Sequence, residues 1–134
     1  MSAASMSTPR LSACVITRNE ADRIDACLAS LAFCDELVVI DSRSTDATRE
    51  IAARRGARVI ERDWPGYAAQ KEVAIRAAQH EWVLCIDADE RVSAPLRAEI
   101  EALRERGFGA AAGYSVPRLS DYLGRWIRHG TWYP

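Results

Sequence analysis

The sequence predicts an α/β fold, an open and mostly parallel sheet flanked by helices. Short apolar runs alternate with segments whose apolar residues recur every three to four positions, the pattern of strands joined by crossover helices. Acidic and polar residues collect where several of those runs stop, as expected when a parallel sheet presents the carboxyl ends of its strands to a ligand. With 134 residues, 49% of them hydrophobic, the chain fits one domain that buries a core.

Residues 11–16 read as the first strand, and Ile24, Cys27, Leu28 and Leu31 form one face of the helix that follows. Residues 36–40 are the second strand. The next helix is expected to start near Ser44, a good N-cap ahead of Thr45 and Asp46, to turn Ile51 inward and to stop at Gly56. Residues 57–60 make a third strand. Trp64-Pro65-Gly66 has turn chemistry, after which Ala69, Val73, Ala74 and Ala77 trace a helical stripe leading to a fourth strand over 82–86. Ser93 and Pro95 open another helix with Leu96, Ile100 and Leu103 as its apolar face and Gly107 as its end. Residues 113–116 suggest a weaker fifth strand.

Composition narrows the function. A formal net charge of -1 gives no general attraction to nucleic acid, and none is expected as a partner. The four cysteines, Cys14, Cys27, Cys34 and Cys85, lack the paired spacing of a zinc site and read as reduced core residues, with a disulfide pair as the alternative. Residues 1–10 are small and polar, without the apolar centre of a signal peptide, and no run is long enough to span a membrane. A soluble cytoplasmic protein is the expectation. The stretch from Tyr122 to His129 mixes large apolar side chains with arginines, so it either lines a pocket, packs at the domain edge or lies against a membrane surface.

Three strand ends carry the candidate chemistry. Thr17, Arg18, Asn19 and Glu20 follow the first strand, Asp41 and Ser42 the second, and Asp87-Ala88-Asp89-Glu90 the fourth. Two carboxylates two residues apart suit a hard divalent cation, which takes one or two protein carboxylates and completes its shell with water and substrate phosphates. Asp41 either accepts hydrogen bonds from a ribose or base, or serves as a turn or capping residue. Ser42, Ser44 and Thr45 crowd an expected helix N-terminus, where free N–H groups favour anions. Lys71, the only lysine, either meets a phosphate or is an ordinary surface residue. Neither G-x-G-x-x-G nor G-x-x-x-x-G-K-[ST] occurs, which disfavours a dinucleotide dehydrogenase and a P-loop NTPase. His80 and His129 lack the partners of a hydrolase or metal site.

Four ordered blocks, residues 15–20 (VITRNE), 39–46 (VIDSRSTD), 64–71 (WPGYAAQK) and 87–92 (DADERV), resemble family 2 glycosyltransferases of the GT-A fold, specifically the bacterial branch that adds sugars to the lipopolysaccharide core. The resemblance covers about Leu11 to Pro134. It implies a Rossmann-like nucleotide-diphospho-sugar transferase fold, truncated to its donor-binding half: a disordered segment over 1–10, the nucleotide-sugar-binding domain over 11–117, and the start of an acceptor-side region over 118–134. It further implies that Thr17, Asn19 and Glu20 line the nucleotide pocket, that Asp41 contacts base or ribose, and that Gln70 and Lys71 sit near the donor. Asp87 would bind the ribose or sugar side, and Asp89 would ligate Mg²⁺ or Mn²⁺ bridging the donor diphosphate.

The implied activity is metal-dependent, inverting transfer from a nucleotide sugar, UDP-linked by family analogy, to a glycan or lipid-linked acceptor. The cation would offset charge on the departing nucleoside diphosphate, and a carboxylate base would deprotonate the acceptor hydroxyl. Peripheral association with the inner membrane face is part of the same expectation. The family's base is expected beyond Pro134, and Arg43 stands where the family block usually has glycine. A second function class is a truncated module that binds donor without completing transfer. A phosphatase of the haloacid dehalogenase type is disfavoured, since Arg91 replaces the expected Thr or Val and the motif follows the fourth strand rather than the first.

Overall fold

β1 (Leu11–Thr17) is the centre of the sheet because its sequence, LSACVIT, carries no charge and fits burial on both faces. Leu11, Ala13 and Val15 face one layer with Ile24, Cys27 and Leu28 of α1 (Ile24–Ser30), and Cys14 faces the other with Ala74 of α3 (Tyr67–Ala77). β2 (Glu36–Asp41) lies parallel to it, with Val38, Val39 and Ile40 fully enclosed. β3 (Arg58–Glu61) and β4 (Trp82–Asp87) complete a parallel sheet in the order β3-β2-β1-β4. The computed structural model describes residues 8–109, 113–114, 120–122 and 125–127.

The chain runs β1 to β2 to β3 on one side and then crosses back through α3 to place β4 on the other side of β1. The order therefore reverses between β1 and β4. In open α/β sheets that crevice, outside the carboxyl ends of the two strands, is where ligands bind.

Helix ends follow local chemistry in most places. α2 (Thr48–Arg54) stops at Gly56, whose φ of 84° lets its N–H reach Ala53 O and the Ala57 N–H reach Ala52 O. α4 (Ala94–Glu105) ends the same way at Gly107, with the Phe108 N–H on Leu103 O at 2.8 Å. The Ser93 hydroxyl oxygen accepts the Leu96 N–H at the start of α4, as its sequence predicts. Residues 8–10 are fastened from the far end of α4, where Arg104 Nε donates to Pro9 O at 2.7 Å. The rest of the expected disordered segment, 1–7, lies outside the described residues.

Four expectations change. α2 begins at Thr48, not near Ser44, because Asp41 takes the Ser44 hydroxyl and Asp46 accepts the Thr48 N–H at 3.0 Å instead. Gly113 and Tyr114 are not in a strand: the Tyr114 hydroxyl donates to Phe108 O at 2.5 Å, while 115–116 lie outside the described residues. Ser120–Tyr122 (β5) and Arg125–Ile127 (β6) pair as an antiparallel two-stranded ribbon that periodicity did not reveal. Finally, Cys85 is exposed and Cys34 half-buried, whereas Cys14 and Cys27 are core residues; all four are free thiols.

Candidate functional site at the carboxyl edge

Thr17, Asp41 and Asp87 are the last residues of their strands, so pairing in the sheet fixes their positions. Thr17 sits opposite Asp41 in the β1–β2 register, and Asp87 sits opposite Ile16 in the β1–β4 register. Thr17 Oγ1 donates to Asp41 Oδ1 at 2.7 Å, and the Ser44 hydroxyl donates to the same oxygen at 2.6 Å. Asp41 Oδ2 accepts the Ser44 N–H at 2.8 Å, with Arg49 Nε 3.9 Å away. Asp41 is 0% exposed. Its carboxylate is thus at the predicted edge but enclosed by protein donors, and it shapes the 41–44 turn.

That turn is stitched to the loop after β1. The Asn19 N–H donates to Ser44 Oγ at 2.8 Å, and Asn19 Oδ1 accepts the Thr45 N–H at 2.8 Å. The Glu20 N–H donates to Thr48 Oγ1 at 2.9 Å, and the Glu20 carboxylate pairs with Arg23 at 3.2 Å. Thr48 also donates its hydroxyl to Asp46. That hydroxyl, with the N–H groups of Thr48 and Ala21, holds the Asp46 carboxyl below the usual carboxylate range. Residues 17–20 and 41–48 therefore behave as one polar rim on the crevice.

Across the crevice, Asp87, buried Ala88, Asp89 and Glu90 form a tight turn. The Asp87 N–H donates to Glu90 Oε1 at 2.8 Å, and the Glu90 N–H to Asp87 O at 2.9 Å. Lys71, on the first turns of α3, brings Nζ within 3.4 Å of Asp87 Oδ1, both side chains being roughly two-fifths exposed. Asp89 is exposed. Gln70, the neighbour of Lys71, is instead fully buried.

The donor set suits a cation held mainly by its ligand. Among the described residues no three His, Cys, Asp or Glu side chains converge into a self-sufficient metal cage. One exposed carboxylate, beside a second already sharing a lysine, is the donor set expected where Mg²⁺ or Mn²⁺ takes most of its oxygens from phosphates and water.

Sequence reading singled out Thr17, Asn19, Glu20, Asp41, Gln70, Lys71, Asp87 and Asp89, and the structure brings the first four together on one rim and Lys71 with Asp87 on the other. It missed Asp46 and Thr48 as the joint between loops. An Asp two residues before a Thr is a recurrent turn in which the Asp side chain binds the backbone two positions on, and that spacing was the available signal. Arg43, in the glycine position of the family pattern, has φ 53°, pairs with Asp63, and reaches Glu61 at 3.4 Å. A non-glycine residue there is strained by roughly 1 kcal/mol.

A four-stranded parallel sheet with its ligand crevice beside β1 and its acidic turn after β4 defines an α/β protein of the GT-A glycosyltransferase class, and solved structures agree. The chain superposes with a TM-score of 0.62 and 29% identity on the mannosyltransferase PcManGT from Pyrobaculum calidifontis, solved with GDP-Man and Mn²⁺, over 73% of this chain and 32% of that one. The chain belongs to glycosyl transferase family 2, whose family model matches residues 12–132. It is 45% identical over 95 residues to an uncharacterized glycosyltransferase of Rickettsia bellii, covering 70% of this chain and 32% of the relative. It is 39% identical over 92 residues to the lipopolysaccharide core biosynthesis glycosyltransferase LpsC of Rhizobium meliloti, covering 65% and 34% respectively. The chain thus spans about a third of the length of the curated relatives it matches. Among the described residues no helix is long and apolar enough to cross a membrane.

Proposed function

We propose that this chain forms the nucleotide-sugar site of an inverting, metal-dependent glycosyltransferase acting on a glycan or lipopolysaccharide core acceptor. The observation that carries the reading is the juxtaposition at the β1/β4 switch point of a stitched polar rim, residues 17–20 and 41–48, with the Asp87-Ala88-Asp89 turn. Thr17, Asn19, Glu20 and Asp41 form the nucleotide side of the pocket, Asp41 acting through the turn it holds. Gln70, Lys71 and Asp87 lie on the donor side, and Asp89 holds Mg²⁺ or Mn²⁺ against the diphosphate. That cation, when bound, neutralises charge developing on the leaving group.

PcManGT, solved with GDP-Man and Mn²⁺, supports a metal-bound nucleoside diphosphate sugar, and LpsC supports the acceptor class. Uridine remains the nucleoside expected from the family resemblance, with guanosine as the alternative to be tested. Domain boundaries are proposed at 11–117 for the donor site and 118–134 for the beginning of the acceptor side, in a cytoplasmic protein, with peripheral association at the inner membrane face as the alternative to a freely soluble one.

The test is calorimetric titration of UDP and GDP with and without Mn²⁺, on the parent chain and on Asp89→Ala. Metal-dependent binding that Asp89→Ala abolishes supports the reading; metal-dependent binding that survives the substitution removes Asp89 from the metal. The second function class, donor binding without transfer, is separated by turnover on a lipopolysaccharide core acceptor. A chain that binds donor and metal yet transfers nothing is the binding module.

A further inference from the structure

Gln70 is a buried amide without a partner. It is 0% exposed, and neither Nε2 nor Oε1 makes a hydrogen bond. Buried polar side chains are nearly always satisfied, because desolvating a donor or acceptor without replacing its hydrogen bond is unfavourable. Gln70 is not among the residues that border the nearby recess of Cys14, Ile16, Lys71, Ala74, Cys85 and Ile86.

Its place in the fold indicates what the missing partner is. α3 carries the chain from the end of β3 back to the start of β4, so it runs against the strands and its first turns lie at their carboxyl edge. Gln70 is one turn before Ala74, which packs on β1 and β2, and one residue before Lys71, which meets Asp87 at that edge. A carboxamide offers an N–H donor beside a C=O acceptor and no charge. That pattern complements the imide edge of a nucleobase or a ribose hydroxyl, whereas a diphosphate and its cation call for charge. Asp41, the residue expected to read the base, already has its oxygens engaged by Thr17 and Ser44.

We propose that the Gln70 carboxamide is a specificity-determining contact for the nucleoside part of the donor, and that its hydrogen bonds are left unmade in the donor-free protein. The assignment rests on the donor-site reading above. Three rotatable bonds let the amide swing toward the crevice while α3 stays in place. The donor-free protein is then less stable than its shape allows, and ligand binding supplies the missing bonds.

Gln70→Met keeps the volume and removes both polar atoms. In the full chain it is expected to raise the donor-free melting temperature by about 3–5 °C, as removal of an unmet buried polar group does in a domain of 134 residues. It is also expected to weaken UDP or GDP binding in Mn²⁺ at least tenfold, while inorganic pyrophosphate with Mn²⁺ binds as to the parent. A variant that melts lower or does not fold shows that the amide is partnered within the fold, and overturns the proposal. Unchanged nucleoside diphosphate affinity, or an equal loss for pyrophosphate, overturns it as well. A parent chain that binds neither nucleotide defeats the donor-site reading itself, whereas a parent that binds and a variant that binds equally well defeat only the role of Gln70.

Discussion

Asp41 provides the sharpest test of how the edge is built, because three hydrogen bonds end on one enclosed carboxylate. Asp41→Ala leaves the Ser44 N–H and the hydroxyls of Thr17 and Ser44 without that acceptor, and all three residues are at most 4% exposed. An orphaned buried donor costs about 1–3 kcal/mol, less where a hydroxyl can rotate to another acceptor. The N–H cannot rotate, so a total of about 3–5 kcal/mol is expected, a large part of the 5–15 kcal/mol that stabilises a typical domain.

Asp41→Asn separates charge from shape. The amide oxygen can accept the Ser44 N–H while Nδ2 donates to the two hydroxyls, provided they turn round. Ser44 Oγ already accepts the Asn19 N–H, so it becomes crowded with donors and its own hydrogen loses its acceptor. Three charge-assisted bonds become three neutral ones, worth roughly half as much, and a loss of about 1–2 kcal/mol follows. Urea unfolding monitored by fluorescence of the four tryptophans measures both variants. An Asp41→Ala variant within 1 kcal/mol of the parent would refute the reasoning, since the turn would then be held by something other than Asp41.

Other outcomes follow from the same structure. Burial raises all four thiols, those of Cys14, Cys27 and Cys34 to about 12, but Cys85 is the exposed one and has Lys71 nearby to offset its rise, so a disulfide reagent near pH 8 should modify Cys85 first; equal rates for all four thiols would contradict this. Burial raises Glu36, but the Gln79 N–H, the Ser12 hydroxyl and Arg58 outweigh it and hold the carboxyl below its ordinary value. Its stabilising contribution is therefore complete above the unfolded value of about 4.3 and is lost as pH falls through the lower folded value. The stability gap between parent and Glu36→Gln should accordingly hold between pH 7 and 5 and shrink on acidification toward pH 3, and a gap independent of pH would exclude the mechanism. Arg43→Gly removes two exposed ion pairs and a left-handed arginine together, so unfolding free energy should change by less than about 1 kcal/mol; a loss above 2 would show that the pairs with Glu61 and Asp63 matter more than exposure permits.

The strands were legible because burial on two faces leaves continuous apolar runs, yet each was expected to end a residue early, and the third also to start a residue early. Thr17, Asp41 and Asp87 look like loop residues by polarity, but a parallel ladder keeps pairing through them, and this extra residue sets the direction of each side chain. The start of α2 was misplaced for a tertiary reason: Ser44 has capping chemistry, but an acceptor from its own turn, Asp41, captures its hydroxyl. β5 and β6 are three residues each, too short for periodicity to register. The missing partners of Gln70 leave no trace in sequence, since satisfaction of a buried amide depends on everything packed around it.

Asp41 and Asp89 both follow an apolar run, Asp41 as the last residue of β2 and Asp89 two residues past the Asp87 that ends β4, and the sheet order separates their roles. β2 lies between β1 and β3, which encloses the end of the strand and commits Asp41 to protein donors. β4 is the end strand among the described residues, so the turn after it stays open and Asp89 remains exposed. The two substitutions should therefore dissociate. Asp41→Ala should unfold several kcal/mol more easily, yet bind Mn²⁺ and nucleotide in the fraction that remains folded, with reduced affinity because the rim has loosened. Asp89→Ala should unfold within about 0.5 kcal/mol of the parent, as exposed substitutions do, and lose the metal dependence of nucleotide binding. Calorimetric titration and urea unfolding on the same two proteins decide it. If Asp89→Ala proves as destabilising as Asp41→Ala, both carboxylates serve the fold, and the exposed turn after β4 is not the metal corner of the site.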